Sequence, residues 1–234
     1  MKTLSATQRI SPIAKDQLPQ TKPPHFDRIA RPYRWLEYFS FGPLLQRTRT
    51  HWLPALADCR RALVLGDGDG RFTAALLAAN RQIRIHAVDG SPAMLQLLQS
   101  RCQNESACLT TEQADIRSWT PQSQTDAYDV IVAHFFLDCL REDEVAQLAQ
   151  RLASATSGNA LWLISDFAIP PTLYGRWIAA PIVASLYRAF GVLTGLRIRR
   201  LPDHATALQS AGWRLHATHT RAAGLLISQL WKRI

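Results

Sequence analysis

Three glycines at alternate positions lie between a short apolar run and a segment rich in alanine and leucine. The run covers residues 62–65, the glycines are Gly66, Gly68 and Gly70, and the segment covers residues 72–79. This order predicts a strand, a tight loop and a helix. Because glycine lets a ligand approach the backbone and a helix N-terminus offers free N–H groups, we predict that the loop binds a nucleotide-type ligand.

The acids in this loop indicate which kind of nucleotide ligand it binds. The spacing is GxGxG, whereas loops that bind the pyrophosphate of a dinucleotide have GxGxxG. Asp67 and Asp69 lie between the glycines, and two carboxylates would repel a pyrophosphate. They would not repel the ammonium and sulfonium groups of S-adenosylmethionine, which we therefore predict as the cofactor.

Two more acids follow predicted strands. Asp89 ends an apolar strand at residues 83–88, where an acid can hold the hydroxyls of a ribose. Asp115 follows a weaker strand at residues 109–113, where it is placed to accept a hydrogen bond from an adenine amino group while Ile116 covers the ring. The loop and these acids, in this chain order, predict an adenosine-binding site.

His134 is the candidate catalytic residue. It follows a strongly apolar strand at residues 128–133, and open α/β sheets bind ligands at the carboxyl ends of their strands. A neutral imidazole there could take a proton from an acceptor, with Asp138 orienting the ring. In the alternative, His134 only packs against the cofactor and Asp138 caps the next helix. Methyl transfer can also proceed without a base, because the sulfonium is a good leaving group and positioning supplies much of the acceleration.

Strands and helices alternate around these residues. The alternation predicts an α/β fold with a doubly wound sheet and right-handed crossovers. Ser91 is the predicted N-cap of a helix that starts at Pro92. The remaining predicted helices cover residues 26–45, 47–57, 92–101, 142–153, 173–196 and 202–211, and the remaining strands cover residues 160–165, 213–220 and 225–231.

The chain is interpreted as one domain with two helical additions. Residues 1–24, which hold four prolines among polar residues, are predicted to be a disordered tail, and residues 25–234 a single domain. Residues 25–58 are predicted to form an N-terminal helical cover, and residues 170–200 a helical insertion after the fifth strand.

The insertion is a candidate lid. Its apolar side chains, followed by arginines, would enclose a dry acceptor pocket with a basic rim. Asp166 and Phe167, after the fifth strand, are predicted to reach the mouth of this pocket. A helix packed on the core and a homodimer contact are the alternatives. The side chains concerned are Trp177, Ile178, Ile182, Val183, Leu186, Tyr187 and Phe190, then Arg197, Arg199 and Arg200.

The net charge of +9 is unevenly distributed. Residues 1–61 and residues 161–234 each carry an excess of seven basic side chains, whereas residues 62–160 carry an excess of five acidic ones. An acidic centre suits a cationic cofactor, and the basic ends could contact an anionic acceptor, nucleic acid or a membrane surface, or only keep the surface soluble. Without a signal-peptide core or metal-ligand spacing among its four cysteines, the chain is predicted to be cytoplasmic and to bind no metal.

Four segments together resemble the class I S-adenosylmethionine-dependent methyltransferases, over residues 60–168 and in the terminal strand pair. The resemblance implies a Rossmann-like seven-stranded sheet with an antiparallel last strand. The segments are LGDGDG at residues 65–70, AVDGS at residues 87–91, QADI at residues 113–116 and DVIVAHF at residues 129–135. The predicted cofactor-binding residues are Tyr33, Gly66, Asp67, Gly68, Gly70, Asp89, Gly90, Ser91, Met94, Asp115, Ile116 and His134.

The N-terminal part adds a second resemblance. Residues 26–42, FDRIARPYRWLEYFSFG, are similar to the N-terminal segment of the ubiquinone and menaquinone biosynthesis C-methyltransferases, which implies that they cover the cofactor with Tyr33 near it. Two features depart from these families. Val64 stands where an acid is usual, which leaves Asp67 or backbone carbonyls to bind the methionine amine, and residues 134–138 lack the asparagine-containing run of the quinone enzymes.

We therefore predict a methyltransferase that acts on a small, apolar or aromatic acceptor, such as a quinone-like compound or another secondary metabolite. One alternative is an RNA-modifying methyltransferase, which the basic ends favour although no RNA-binding module is recognisable. The other is a module that binds S-adenosylmethionine without turnover, which the departure at Val64 favours.

Overall fold

The computed structural model describes residues 43–121, 127–194 and 202–234. Its strands are β1 (Arg61–Leu65), β2 (Arg84–Asp89), β3 (Leu109–Gln113), β4 (Tyr128–His134), β5 (Thr156–Phe167), β6 (Trp213–Arg221) and β7 (Leu226–Arg233). They form one sheet in the order β3-β2-β1-β4-β5-β7-β6. The strands from β1 to β5 are parallel, and β7 is antiparallel to both β5 and β6. The predicted seven-stranded sheet with an antiparallel last strand is confirmed.

The helices lie between these strands. They are α1 (Leu44–Arg49), α2 (Arg71–Ala79), α3 (Pro92–Arg101), α4 (Glu142–Ala153), α5 (Ala180–Thr194) and α6 (His204–Ser210). Short 3-10 turns cover Leu53–Leu56, Gln103–Cys108, Leu137–Cys139 and Ala222–Gly224. None of the helices in the described ranges is long and apolar enough to span a membrane.

The core has two parts, one on each face of the sheet, because side chains alternate between faces along a strand. In β1, Leu63 and Leu65 pack with α4 and α6, whereas Ala62 and Val64 pack with α2 and α3. Val64 is 1% exposed. The position where the related families carry an acid is therefore part of the apolar core, in contact with the cluster around Phe72.

Strand β5 begins at Thr156, four residues before its predicted start at residue 160. Residues 156–159 are polar and half-buried or exposed, and Thr156 pairs with Tyr128 beyond an irregularity in the register of β4 and β5. Apolar periodicity marks only the part of a strand that faces the core, so it could not reveal this extension.

The insertion is helical across Pro181, as the predicted helix at residues 173–196 requires. A π-helical turn at Gly175–Ala179 leads directly into α5. Proline has no N–H and crowds the carbonyl of the preceding turn, and a widened turn relieves both problems without ending the helix. The turn is held close to the end of β5, because a β-carbon on Gly175 would lie 1.7 Å from the carbonyl oxygen of Pro170.

Candidate active site

The loop between β1 and α2 lies at the carboxyl edge of the sheet. Gly66, Gly68 and Gly70 have φ values of 61°, 60° and 77°, in the left-handed region that favours glycine. A β-carbon on Gly66 would lie 2.3 Å from the Phe136 ring, and one on Gly70 would lie 2.7 Å from the Leu98 side chain. Packing against Phe136 and α3 therefore holds the loop in shape before any ligand binds.

Asp67 has its carboxylate at the start of α2. Its Oδ2 accepts hydrogen bonds from the N–H of Thr73 at 2.8 Å and from the Thr73 hydroxyl at 2.7 Å. Burial raises the pKa of Asp67 to about 6, against the opposing influence of the Thr73 hydrogen bonds and of Arg49. Both hydrogen bonds from Thr73 go to Oδ2 of Asp67, so Oδ1 of Asp67 could accept from the ammonium group of a ligand.

Asp69 does not support the interpretation in which both loop acids face the ligand. Its Oδ2 lies 3.0 Å from Nε of Arg71 and 2.7 Å from a terminal nitrogen of Arg101. Nε of Arg101 also donates to the backbone carbonyl of Asp69 at 2.7 Å. Asp69 therefore ties the loop to α2 and α3, whereas Asp67 forms no ion pair with an arginine in the described part of the chain.

Asp89 ends β2 beside the loop. Its Oδ1 accepts from the N–H of Ser91 at 2.8 Å, and its backbone carbonyl accepts from Ala114 at 3.1 Å. Ser91 caps α3 as predicted, with Oγ accepting from the N–H of Met94 at 3.2 Å. Ser91 and Met94 are both 3% exposed, so their side chains hold the start of α3, whereas Gly90 is exposed beside Asp89.

Asp115 is exposed and already engaged by an arginine. Arg117 reaches it with two nitrogens, Nε at 2.9 Å from Oδ1 and a terminal nitrogen at 2.6 Å from Oδ2. These hydrogen bonds hold the pKa of Asp115 below its usual value. Ile116, which was expected to cover the adenine ring, is 4% exposed and packs into the core with Val88 and Ala133.

His134 is buried at the end of β4, on the face that carries α2. Its ring meets that of Phe72 edge-on at 4.5 Å, and neither ring nitrogen has a hydrogen-bond partner in the described part of the chain. Burial, helped by the charge of Arg49, holds the pKa of His134 well below its usual value. The imidazole is therefore neutral and a weak base.

The predicted pair of His134 and Asp138 is not formed. His134 pairs with Ser165 in the register of β4 and β5, whereas Asp138 hydrogen-bonds with the side chain of Asp166, the next residue of β5. Successive residues of a strand face opposite sides of the sheet, so the two side chains lie on different faces. Asp138 does not cap α4 either, since Glu144 accepts from the N–H of Arg141 at the start of that helix.

Asp138 and Asp166 form a buried carboxyl pair that was not predicted from the sequence. They are 6% and 2% exposed. The hydroxyl of Tyr187, on α5, donates to Oδ2 of Asp138 at 2.8 Å, and the N–H of Phe167 donates to Oδ1 of Asp166 at 2.8 Å. Burial raises the pKa of both carboxyls, and the charge of Asp138 raises that of Asp166 further, so Asp166 carries the shared proton.

The insertion packs over this edge with one of its two faces. Ala179 and Val183 are buried with Leu45 of α1, Phe167 of β5 and Leu226 of β7. The opposite face leaves large apolar side chains exposed, as the homodimer alternative would require. These side chains are Leu173, Trp177, Ile178 and Ile182.

Arg49 is a further residue of the site that the sequence did not single out. It lies on α1, is 5% exposed, and its guanidinium is 5.0 Å from the centre of the Phe135 ring. Its charge acts on both Asp67 and His134. A buried guanidinium at this edge is suited to a carboxylate such as that of a methionine moiety, but one arginine on a short helix gives no signal in the sequence.

The residues at this edge fit S-adenosylmethionine. The loop backbone is preformed, Asp67 keeps one carboxylate oxygen for an ammonium group, and Asp89 is at the position for a ribose. The two buried ring nitrogens of His134 have no hydrogen-bond partner within residues 43–121, 127–194 and 202–234, which leaves polar capacity for a ligand. Tyr33 and the rest of residues 26–42 lie outside the described residues, as do residues 1–24, so those predictions stay predictions.

Comparison with known proteins identifies a related family and fold. The sequence profile of a family described as "Methyltransferase domain" matches residues 63–161. A malonyl-[acyl-carrier protein] O-methyltransferase from Paenibacillus sp. (strain JDR-2) is 33% identical over 75 residues, which is 32% of this chain and 27% of that protein. The chain thus aligns with about a quarter of this relative.

Three solved structures with the same fold illustrate the likeness. The mitomycin 7-O-methyltransferase MmcR has a TM-score of 0.63 and 18% identity, over 90% of this chain and 61% of its own. The pyocyanin biosynthetic protein PhzM has a TM-score of 0.62, 16% identity and coverages of 90% and 62%. The S-adenosylmethionine-dependent methyltransferase SibL has a TM-score of 0.66, 18% identity and coverages of 92% and 63%. At these identities the likeness concerns the fold.

Proposed function

We propose, from the premise that this chain carries a class I S-adenosylmethionine-dependent methyltransferase domain, that it transfers a methyl group to an oxygen of a small aromatic or otherwise apolar acceptor. The observation that carries the proposal is the carboxyl edge of the sheet, where Asp67, Asp89 and His134 lie next to an apolar helical cover. The O-methyltransferases among the similar proteins support oxygen as the acceptor atom.

Bound S-adenosylmethionine supplies a methyl group on a positively charged sulfur, which leaves as a neutral thioether. Asp67 binds the ammonium group and Asp89 the ribose hydroxyls. His134, which is neutral and has no hydrogen-bond partner among the described residues, offers a polar contact without adding a positive charge beside the sulfonium. α5 excludes water from the edge, so these residues act mainly by positioning the reactants.

The first test is calorimetric binding of S-adenosylmethionine to the Asp89→Asn variant. The amide keeps the shape of the side chain but removes the charge that accepts two ribose hydroxyls, so we expect affinity to fall about tenfold, since a hydrogen bond to a charged group contributes about 1.5–3 kcal/mol. Asp143→Asn, on the exposed surface of α4, is the matched control, because the ion pair that Asp143 forms in the described ranges is with exposed Arg141. Equal affinities of Asp89→Asn and the wild type would contradict the proposed ribose site.

The acceptor class is tested by the release of S-adenosylhomocysteine with a panel of phenols, hydroxyquinones and short RNAs. We expect turnover with hydroxylated aromatic compounds. The RNA alternative rests on the basic ends of the chain, much of which fall within residues 1–42 and 195–201, outside the described ranges. That alternative predicts RNA binding that weakens steeply with salt, and the binding-module alternative predicts no release with any acceptor.

A further inference from the structure

The carboxyl pair of Asp138 and Asp166 has no cationic partner among the residues that the structure describes. In the described ranges, no ion pair involves either residue. Two adjacent carboxyls out of water, without a cation, destabilise a fold. Groups that are costly to bury and have perturbed pKa values concentrate at functional sites, which points to a role in chemistry for this pair.

The pair lies between the cofactor loop and the insertion. Asp138 comes two residues after Phe136, whose ring packs against Gly66 of the loop. The charges of Asp89 and of the pair both act on Cys139, so the pair and the predicted ribose site are within electrostatic reach of each other. Tyr187 brings the insertion to the same point. An acceptor that enters beneath α5 would therefore meet Asp138 next to the cofactor.

We infer that Asp138 binds the hydroxyl group of the acceptor and takes its proton, and that the Tyr187 hydroxyl occupies this place until the acceptor binds. The hydrogen bond from Tyr187 to Oδ2 of Asp138, at 2.8 Å, is the one that a phenol would form. The acceptor class that this site recognises is a small phenol or a similarly acidic alcohol. The inference rests on the proposed methyl transfer to oxygen.

The proton and electron balance is simple. The O–H bond of the acceptor breaks and its proton goes to Oδ2 of Asp138, while a lone pair of the acceptor oxygen forms the bond to the methyl carbon. The bond from that carbon to sulfur breaks, and its electron pair stays on sulfur, which becomes a neutral thioether. Asp166 is a positioning residue, because it keeps its own proton and donates a hydrogen bond to the carboxylate of Asp138, which that bond holds in place. The groups that contact Asp138 are the side chains of Asp166, Tyr187 and Cys139. The charge of Asp89 acts on Cys139 from farther away.

Binding of 4-nitrocatechol in the presence of S-adenosylhomocysteine tests this inference without turnover. Tyr187→Phe removes the competing hydroxyl, so we expect the nitrocatechol Kd to fall about threefold to tenfold. Asp138→Asn cannot take the proton, so we expect the visible absorption of the bound phenolate to be lost. Tyr174→Phe is the matched control, because Tyr174 lies in the same insertion but donates to the carbonyl of Ala222 at 3.3 Å. A purely structural Tyr187 would give weaker or equal binding in Tyr187→Phe, which would overturn the inference.

Turnover adds a second measurement. We expect Asp138→Asn to lower kcat about a hundredfold while its affinity for S-adenosylmethionine stays at the wild-type value; an unchanged kcat would overturn the assignment of Asp138. If Asp138→Asn does not fold, the Tyr187→Phe affinity decides. Failure of the proposed function would be seen separately, because the wild-type protein would then bind no S-adenosylmethionine. Nitrocatechol binding reports on Asp138 in either case.

Discussion

Asp67 and Asp69 are two positions apart in the loop and meet different surroundings. Arginines on α2 and α3 neutralise Asp69, so it fastens the loop to the helices. Asp67 accepts hydrogen bonds from the N–H and the hydroxyl of Thr73 at one oxygen and is influenced by the charge of Arg49, and burial weakens its acidity. Asp69 is thus part of a structural ion pair, whereas Asp67 is the acid that we propose binds the ligand, although the sequence presents the two as equivalent.

The pKa of Asp67 predicts how cofactor binding depends on pH. Burial raises this pKa from 3.8 to about 6, and only the ionised carboxylate attracts the ammonium group. We expect calorimetric affinity for S-adenosylmethionine to rise up to about tenfold between pH 5 and pH 7 and then level off. Methylthioadenosine, which lacks the amino acid moiety, and the Asp67→Asn variant are the controls, and both should lack this rise. A rise of the same size with methylthioadenosine would assign the pH dependence to another group.

His134 shows why a histidine at a strand end is not sufficient evidence for a base. Its lowered pKa weakens its affinity for a proton, and Asp138, on the other face of the sheet, does not orient its ring as a general base requires. The structure favours the alternative in which the ring packs beside the cofactor. That role stays a prediction.

At the scale of elements, the glycine loop packs closely against α2 and α3. Gly70 is the N-cap of α2, and its φ of 77° together with the close approach of Leu98 leaves no room for a side chain. Arg101, also on α3, reaches back to Asp69 on the other side of the same contact. The loop is thus positioned by packing against α3 as well as by its own conformation.

A substitution at Gly70 tests this positioning. In Gly70→Ala, the new β-carbon would lie 2.8 Å from the α-carbon of Leu98, which backbone movement alone can relieve. We expect the free energy of unfolding, measured by denaturant titration, to fall by about 2–4 kcal/mol from overpacking and the unfavourable φ. Gly158→Ala is the control, because a β-carbon there has no atom within 4 Å. Equal stabilities of the two variants would show that α3 does not constrain the loop.

The insertion is an element with two different faces. Its buried face contacts α1 and the ends of β5 and β7, so the alternative of a helix packed on the core is correct for this face. Tyr187 shows that the same helix also reaches the carboxyl pair. The lid interpretation and the packed-helix interpretation therefore describe two parts of one element, because a helix presents different residues to different neighbours.

At the scale of the molecule, strand order creates the site. β1 lies between β2 and β4, so the chain reverses its direction of winding beside β1, and the loop after β1 opens at this reversal. Four strand ends, distant in sequence, lie side by side at the carboxyl edge of the sheet. They carry the glycine loop, Asp89, His134 and the carboxyl pair. A ligand bound there connects both halves of the sheet.

Binding at this edge should stabilise the whole fold. A ligand at a hundred times its Kd contributes about 2.7 kcal/mol, which for a domain of this size corresponds to a rise in Tm of about 5–10 °C. We expect this shift for S-adenosylmethionine in a thermal melt, and a smaller one for Asp89→Asn at the same ligand concentration. NAD, whose pyrophosphate Asp67 would repel, is the control ligand. An equal shift with NAD would contradict the assignment of the loop.

The amino-acid sequence by itself determined the alternation of strands and helices, the glycine loop, the cap at Ser91 and the acid at the end of β2, whereas the antiparallel last strand was implied by the family resemblance. The strand and helix pattern, the loop, the cap and the acid depend on local periodicity and turn chemistry, which involve residues close together in the sequence. Only the tertiary structure decided that Asp69 pairs with arginines, that Ile116 is core, and that Asp138 meets Asp166 and Tyr187 instead of His134. Those contacts join residues far apart in the chain, and which side of the sheet a side chain takes depends on the register of strands that meet only in the fold.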